Sequence, residues 1–172
     1  CRKPQRMSRG RLLLLSVLAF GFSLAGGAHS ALAAATVLRP TNGGTYAYGT
    51  PEAEPYVGAN VVVHYVTTGP SAPPLNDDNG DGYPDYVEAV AGAADAALLY
   101  YQQHGFKAPL PDTAGVDPKP DIYIDALPPG TFGLTFGEQT GEGGSFVLVS
   151  PRLDPSVPKA FGGLSTTVAH EL

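Results

Sequence analysis

Apolar residues along this chain recur with several different periods. Residues 12–28 form an apolar run uninterrupted by charge. Residues 60–67 (NVVVHYVT) are β-branched and aromatic, apolar on both faces and bounded by turn formers, which predicts a buried strand. Gly69, Pro70, Pro73 and Pro74 then exclude helix. From 84 to 104 the period changes. Val87, Val90, Ala91, Ala94, Leu98 and Tyr101 recur at three- and four-residue steps, predicting an amphipathic helix. Pro84 suits its first turn, Asp85 and Glu88 suit its positive end, and Gly105 is placed to stop it, with Phe106 folding back on Tyr101. Residues 121–127 (DIYIDAL) alternate as a strand does, 132–136 predict a short strand, and 145–150 (SFVLVS) predict another, with an exposed-edge character and ended by Pro151. Ser165 reads as the N-cap of a last helix.

The order strand, helix, strand, short strand, strand, helix predicts one domain of the α/β (α+β) class built on one sheet, over residues 60–172. Residues 34–59 hold Pro, Gly, Thr and Tyr without a period and read as an N-terminal arm or linker. No internal repeat is visible.

Residues 1–33 have a different character. Arg2, Lys3, Arg6, Arg9 and Arg11 precede the apolar run, and Ala31-Leu32-Ala33 follows it with small residues at an A-x-A spacing. That layout predicts a secretory signal peptide and an extracellular mature protein; an uncleaved membrane anchor is the alternative. Met7 is the expected start, with residues 1–6 as upstream read-through. The leader holds five of the ten basic residues and none of the sixteen acidic ones, so the remainder carries a balance of −11. Such a surface excludes a basic nucleic-acid face and suits cation binding or solubility. Cys1, the sole cysteine, lies upstream of the leader, so the mature portion is expected to lack a disulfide and to rely on packing or metal.

Two motifs carry chemistry. Residues 77–88 match D-x-[DN]-x-[DN]-G-x5-E at every specified position. A hard cation takes six to eight oxygens, and alternate loop residues turn theirs inward. Asp77, Asn79 and Asp81 would give side-chain oxygens, Tyr83 its backbone carbonyl, Asp85 a direct or water-mediated contact, and Glu88 both carboxylate oxygens. Gly82 allows the sharp turn. An acidic helix-capping turn is the alternative. The prolines forbid the incoming helix of a full EF-hand. A lone loop-plus-helix site therefore suits structural calcium, with a dissociation constant of about 10⁻⁴ to 10⁻³ M.

The second motif is Ala169-His170-Glu171-Leu172, the front of H-E-x-x-H. Two imidazoles four residues apart share one helix face and one zinc ion, and the adjacent glutamate takes a proton from the metal-activated water. His170 and Glu171 fill the first two places. The second histidine would stand two residues beyond Leu172. A partly buried histidine near a helix end, beside a solvated glutamate, is the alternative. His64 reads as packing or surface, His104 as a helix-end cation, and Asp112, Asp117 and Asp121 as turn residues. A second cation site at those three aspartates is the weaker reading.

Taken together, these pieces resemble a family of secreted bacterial metalloproteases of the zincin (gluzincin-like) type. The resemblance rests on His64-Tyr65-Val66-Thr67-Thr68-Gly69, the EF-hand-like or thrombospondin-type-3-like loop 77–88, Asp121-Ile122-Tyr123-Ile124, and 169–172. It covers residues 60–172. It implies a zincin-like N-terminal subdomain, a mixed twisted sheet with a long helix and the start of the active-site helix. It also implies His170 as a zinc ligand, Glu171 as general base, calcium as a structural cofactor, and a peptide or protein as substrate. The chain would then be the front part of an incomplete catalytic domain, inactive alone. A non-enzymatic extracellular calcium-binding module is the rival reading.

Overall fold

A computed structural model of the chain describes residues 38–112, 117–137, 144–153 and 163–172. The leader, including Cys1 and Met7, lies outside the described residues. Among those described, no helix is long and apolar enough to cross a membrane.

Among the described residues, five strands and two helices follow the order β1 (Tyr56–Val57), β2 (Val62–His64), α1 (Asp85–Gln103), β3 (Asp121–Ile124), β4 (Gly133–Gly137), β5 (Ser145–Val149) and α2 (Leu164–Glu171). The strands form one mixed sheet in the order β1-β2-β3-β5-β4. β2, β3 and β5 run parallel at its centre, and β1 and β4 pair antiparallel at the two edges. The chain is thus of the α/β class.

Alternation along the central strands sends side chains to two separate apolar clusters. Val63, Ile122, Ile124, Val147 and Val149 face the helices, where they meet Val87, Val90, Ala91 and Ala94 of α1 and Leu164 and Val168 of α2. Tyr123, Phe146 and Leu148 point the other way, toward Tyr48 and Val66. Each fully buried valine, leucine or isoleucine contributes about 1.5–3 kcal/mol of transfer free energy. The alanines on α1's inner face let it lie close to the sheet.

The ends of α1 follow the predicted chemistry. Pro84 occupies the N-cap, one place earlier than a first-turn residue, and Asp85 and Glu88 stand in the first turn. At the other end Gly105 adopts φ +82°, a conformation that favours glycine. Gly105 N–H donates to Gln102 O (3.2 Å) and Phe106 N–H to Tyr101 O (3.0 Å), while the Phe106 and Tyr101 rings sit 5.5 Å apart. Both hydrogen bonds and the ring contact of a Schellman stop are present.

Two expectations are corrected. β5 is an interior strand, because β4 returns antiparallel and pairs with it from Gly133–Val149 to Gly137–Ser145; the exposed edge is β4. The cap of α2 is Gly163, not Ser165: the helix starts at Leu164, and no side chain caps it.

The described part of the 34–59 stretch is irregular over most of its length but docks on the sheet. Glu52 bridges to Val66, Ala53 N–H donates to Tyr65 O (3.0 Å), and Tyr48 is buried in the second cluster. The sheet is therefore sandwiched between two helices on one face and this arm on the other.

Candidate metal and catalytic site

The His170–Glu171 pair sits at the end of α2, where Leu164, Thr167 and Val168 anchor the helix in the core. His170 is exposed and Glu171 half-buried. Tyr101 of α1 donates its hydroxyl to Ala169 O, which holds the helix just before the pair. On the other side Glu171 lies against β4. Thr135 Oγ1 is 2.7 Å from both Glu171 Oε2 and Glu171 O, so its single proton serves one at a time. A Cβ on Gly133 would come within 2.6 Å of Glu171 Cγ. Glu171 can lie here only because that strand position carries no side chain. Sequence reasoning missed both β4 residues; glycine at one inward-facing position of a short strand and threonine at the next was the available signal.

The acidic loop is organised around Asp77. Its Oδ1 accepts from Gly80 N–H (2.7 Å) and Asp81 N–H (3.2 Å), and its Oδ2 from Gly82 N–H (2.9 Å). The Asn79 amide nitrogen donates to Asp81 Oδ2 (3.2 Å) and to Glu88 Oε2 (3.0 Å). Desolvation, then the negative charges of Asp81 and Asp85, raise the Glu88 carboxyl above its ordinary pKa. Tyr83 donates its N–H to Asp81 Oδ1 (2.9 Å) and packs its ring edge-on to Tyr56, 5.0 Å away. Asp85 points elsewhere, accepting from the Asn76 side chain and Asp78 N–H.

Among the described residues no three His, Cys, Asp or Glu side chains gather as a metal-holding group. The two motifs fare differently against that fact. In the loop, Asp77, Asn79, Asp81 and Glu88 are drawn into one hydrogen-bonded knot, with the Asn79 amide N–H₂ between the Asp81 and Glu88 carboxylates. Binding would require the Asn79 amide to turn its oxygen inward. At α2 the described residues bring one candidate ligand, His170, and do not by themselves make a metal site.

The least expected cluster is buried between the arm and the sheet. Arg39 Nη2 pairs with Asp112 Oδ2 at 2.7 Å, and its Nη1 bonds Asp121. Its guanidinium lies 5.5 Å from the Phe146 ring centroid and 6.0 Å from that of Tyr123. The second cation considered near Asp112 and Asp121 is thus met by an arginine. Asp117 accepts from Lys119 N–H (2.8 Å) as a plain turn residue.

His64, read from sequence as packing or surface, is instead clamped by charge. Nδ1 bonds Glu52, and Nε2 lies 3.2 Å from Asp121 Oδ1, a charge contact not aligned as a hydrogen bond. The ring stacks on Tyr123 at 4.3 Å. Burial works against the charged ring, but Asp121 and Glu52 more than offset it and raise its pKa to about 9. One ring nitrogen is hydrogen-bonded and the other lies in a charge contact, an arrangement that favours the protonated ring. Its folded pKa exceeds the unfolded value of about 6.5, so its contribution of about 3 kcal/mol is complete below pH 6.5 and lost as pH rises through 9. Chemical denaturation across that range should show stability falling, with the slope flattened in His64→Gln.

Asp125, just after β3, is also buried. One oxygen accepts from Ser71 Oγ and Ala126 N–H, the other has no partner among the described residues, and burial raises its pKa.

Comparison with family models, with curated proteins and with solved structures found no match for this chain.

Proposed function

We propose that these residues are the front part of an exported, calcium-stabilised zinc metallopeptidase. The observation that carries the reading is the placement of Glu171, held against an exposed antiparallel edge strand and adjacent in sequence to an exposed histidine. Zinc, when bound, supplies a polarised water. This chain's own residues bring the rest of the local chemistry. Glu171 is a carboxylate ready to take a proton, Thr135 orients it, and Gly133 leaves room for it. Among the described residues β4 pairs on one side only, with β5, leaving an edge to which an extended peptide can add as a further strand. In this reading His170 is the zinc ligand among the described residues. The signal-like leader and the acidic mature surface support an extracellular setting without nucleic-acid contact.

The test is the natural protein bearing these residues, purified and assayed for stoichiometric zinc and for chelator-sensitive hydrolysis of an unfolded protein. Zinc with hydrolysis supports the reading; neither one present removes it.

The calcium half has its own test. At 10 mM calcium, a site of the expected affinity stabilises by about 1.4–2.7 kcal/mol through mass action. Asp81→Ala should lower the melting temperature in calcium and change it little in EDTA. Equal losses in both would reduce the loop to a turn.

A further inference from the structure

The chain contains two Asn-Gly pairs in described turns, Asn42-Gly43 and Asn79-Gly80. Asparagine before glycine is chemically labile, because no side chain on the glycine shields its backbone nitrogen. That nitrogen attacks the asparagine Cγ. A new N–Cγ bond forms, the bond from Cγ to the side-chain nitrogen breaks, and ammonia leaves, closing a five-membered succinimide. Water then opens either C–N bond of the ring, giving aspartate or isoaspartate. Water is the only co-reactant.

The two pairs sit in opposite environments. At Asn79 both reacting groups are tied. Gly80 N–H, the attacking group, is held by Asp77 Oδ1 at 2.7 Å. The Asn79 side chain is held at both ends, its nitrogen on Asp81 and Glu88 and its oxygen accepting from Asp81 N–H at 2.9 Å. At Asn42 neither is tied. The side chain is exposed, and neither its amide nor Gly43 N–H has a hydrogen-bond partner among the described residues. Gly43 (φ +94°) and Gly80 (φ +72°) alike have nothing within 4 Å of where a Cβ would stand, so hydrogen bonding and not steric room separates the two turns.

We propose that Asn42 is a spontaneous modification site, converted to aspartate and isoaspartate through the Gly43 nitrogen, while the calcium-type loop protects Asn79 from the same chemistry. The position matters because Asn42 N–H closes a turn on Arg39 O at 2.9 Å. Isoaspartate adds a methylene to the main chain in the turn that seats the Arg39 anchor. Conversion therefore loosens the arm where it is pinned to Asp112 and Asp121.

The experiment is incubation of the folded full chain in mildly alkaline buffer, followed by peptide mapping by mass spectrometry. The Asn42 peptide should gain the mass difference between OH and NH₂ and split into two forms. It should convert on the order of tenfold or more faster than the Asn79 peptide, as expected where charge-assisted hydrogen bonds must first break. In denaturant the two should convert at similar rates, and Asn42→Gln should silence the first site in the folded chain. Equal rates in the folded chain, or an unconverted Asn42 under conditions that convert it in the unfolded chain, would overturn the proposal.

Discussion

Glu171→Gln in the natural protein should lower peptide hydrolysis by about 100- to 10,000-fold, the range for removing a general acid–base group. That corresponds to about 3–5 kcal/mol of transition-state stabilisation. Glutamine keeps the length and shape of the side chain and can still accept the Thr135 hydroxyl through its amide oxygen. Its packing over Gly133 should therefore survive. Because the role assigned to Glu171 is proton transfer and not ligation, zinc content should be unchanged and the loss should appear in kcat, with KM close to its original value. Loss of zinc along with activity would make Glu171 a ligand. An unchanged kcat would remove it from the reaction.

The second large effect is on stability. Arg39→Ala should cost about 3–5 kcal/mol, because it removes the guanidinium that pairs the buried Asp112 and Asp121 carboxylates and leaves Asp121 with only the nearby His64 as counter-charge. The side chains of Arg39, Asp112 and Asp121 are 6%, 0% and 6% exposed, so water cannot compensate. In a domain of this size the melting temperature should fall on the order of 10 °C. Arg39→Lys should recover only part of the loss, since an ammonium cannot fork between two carboxylates. Adding Asp112→Asn to Arg39→Ala should restore stability relative to Arg39→Ala alone, because one stranded charge is gone. A cost below about 1 kcal/mol for Arg39→Ala would mean that the cluster is solvated in solution.

The parts of this fold that were legible in sequence are those whose determinants lie close together. The register of α1 follows from Val87, Val90, Ala91 and Ala94, all buried, and its stop from Gly105 and Phe106. The knot around Asp77 lies within one twelve-residue window, and its motif marked the turn correctly. What escaped depends on partners far apart in the chain. His64 has an ordinary strand context, and only Glu52 and Asp121 make it a trapped cation. Arg39 sits in a segment without periodicity, yet it meets Asp112 and Asp121 more than seventy residues later. The interior position of β5 depends on which neighbour pairs with it, and alternation within a strand carries no information about that. At the candidate catalytic pair, His170 and Glu171 were legible as a motif. Thr135 and Gly133 were not, because their roles follow from the crossing of β4 over α2.

The docked arm has a consequence for how the protein would be handled. The resemblance begins at residue 60, but the folding unit starts upstream of Arg39. Shortening the protein to the stretch that looks like an enzyme would discard Arg39, Tyr48 and Glu52 together. It would uncover the aromatic face of Tyr123 and Phe146 to solvent and invite aggregation.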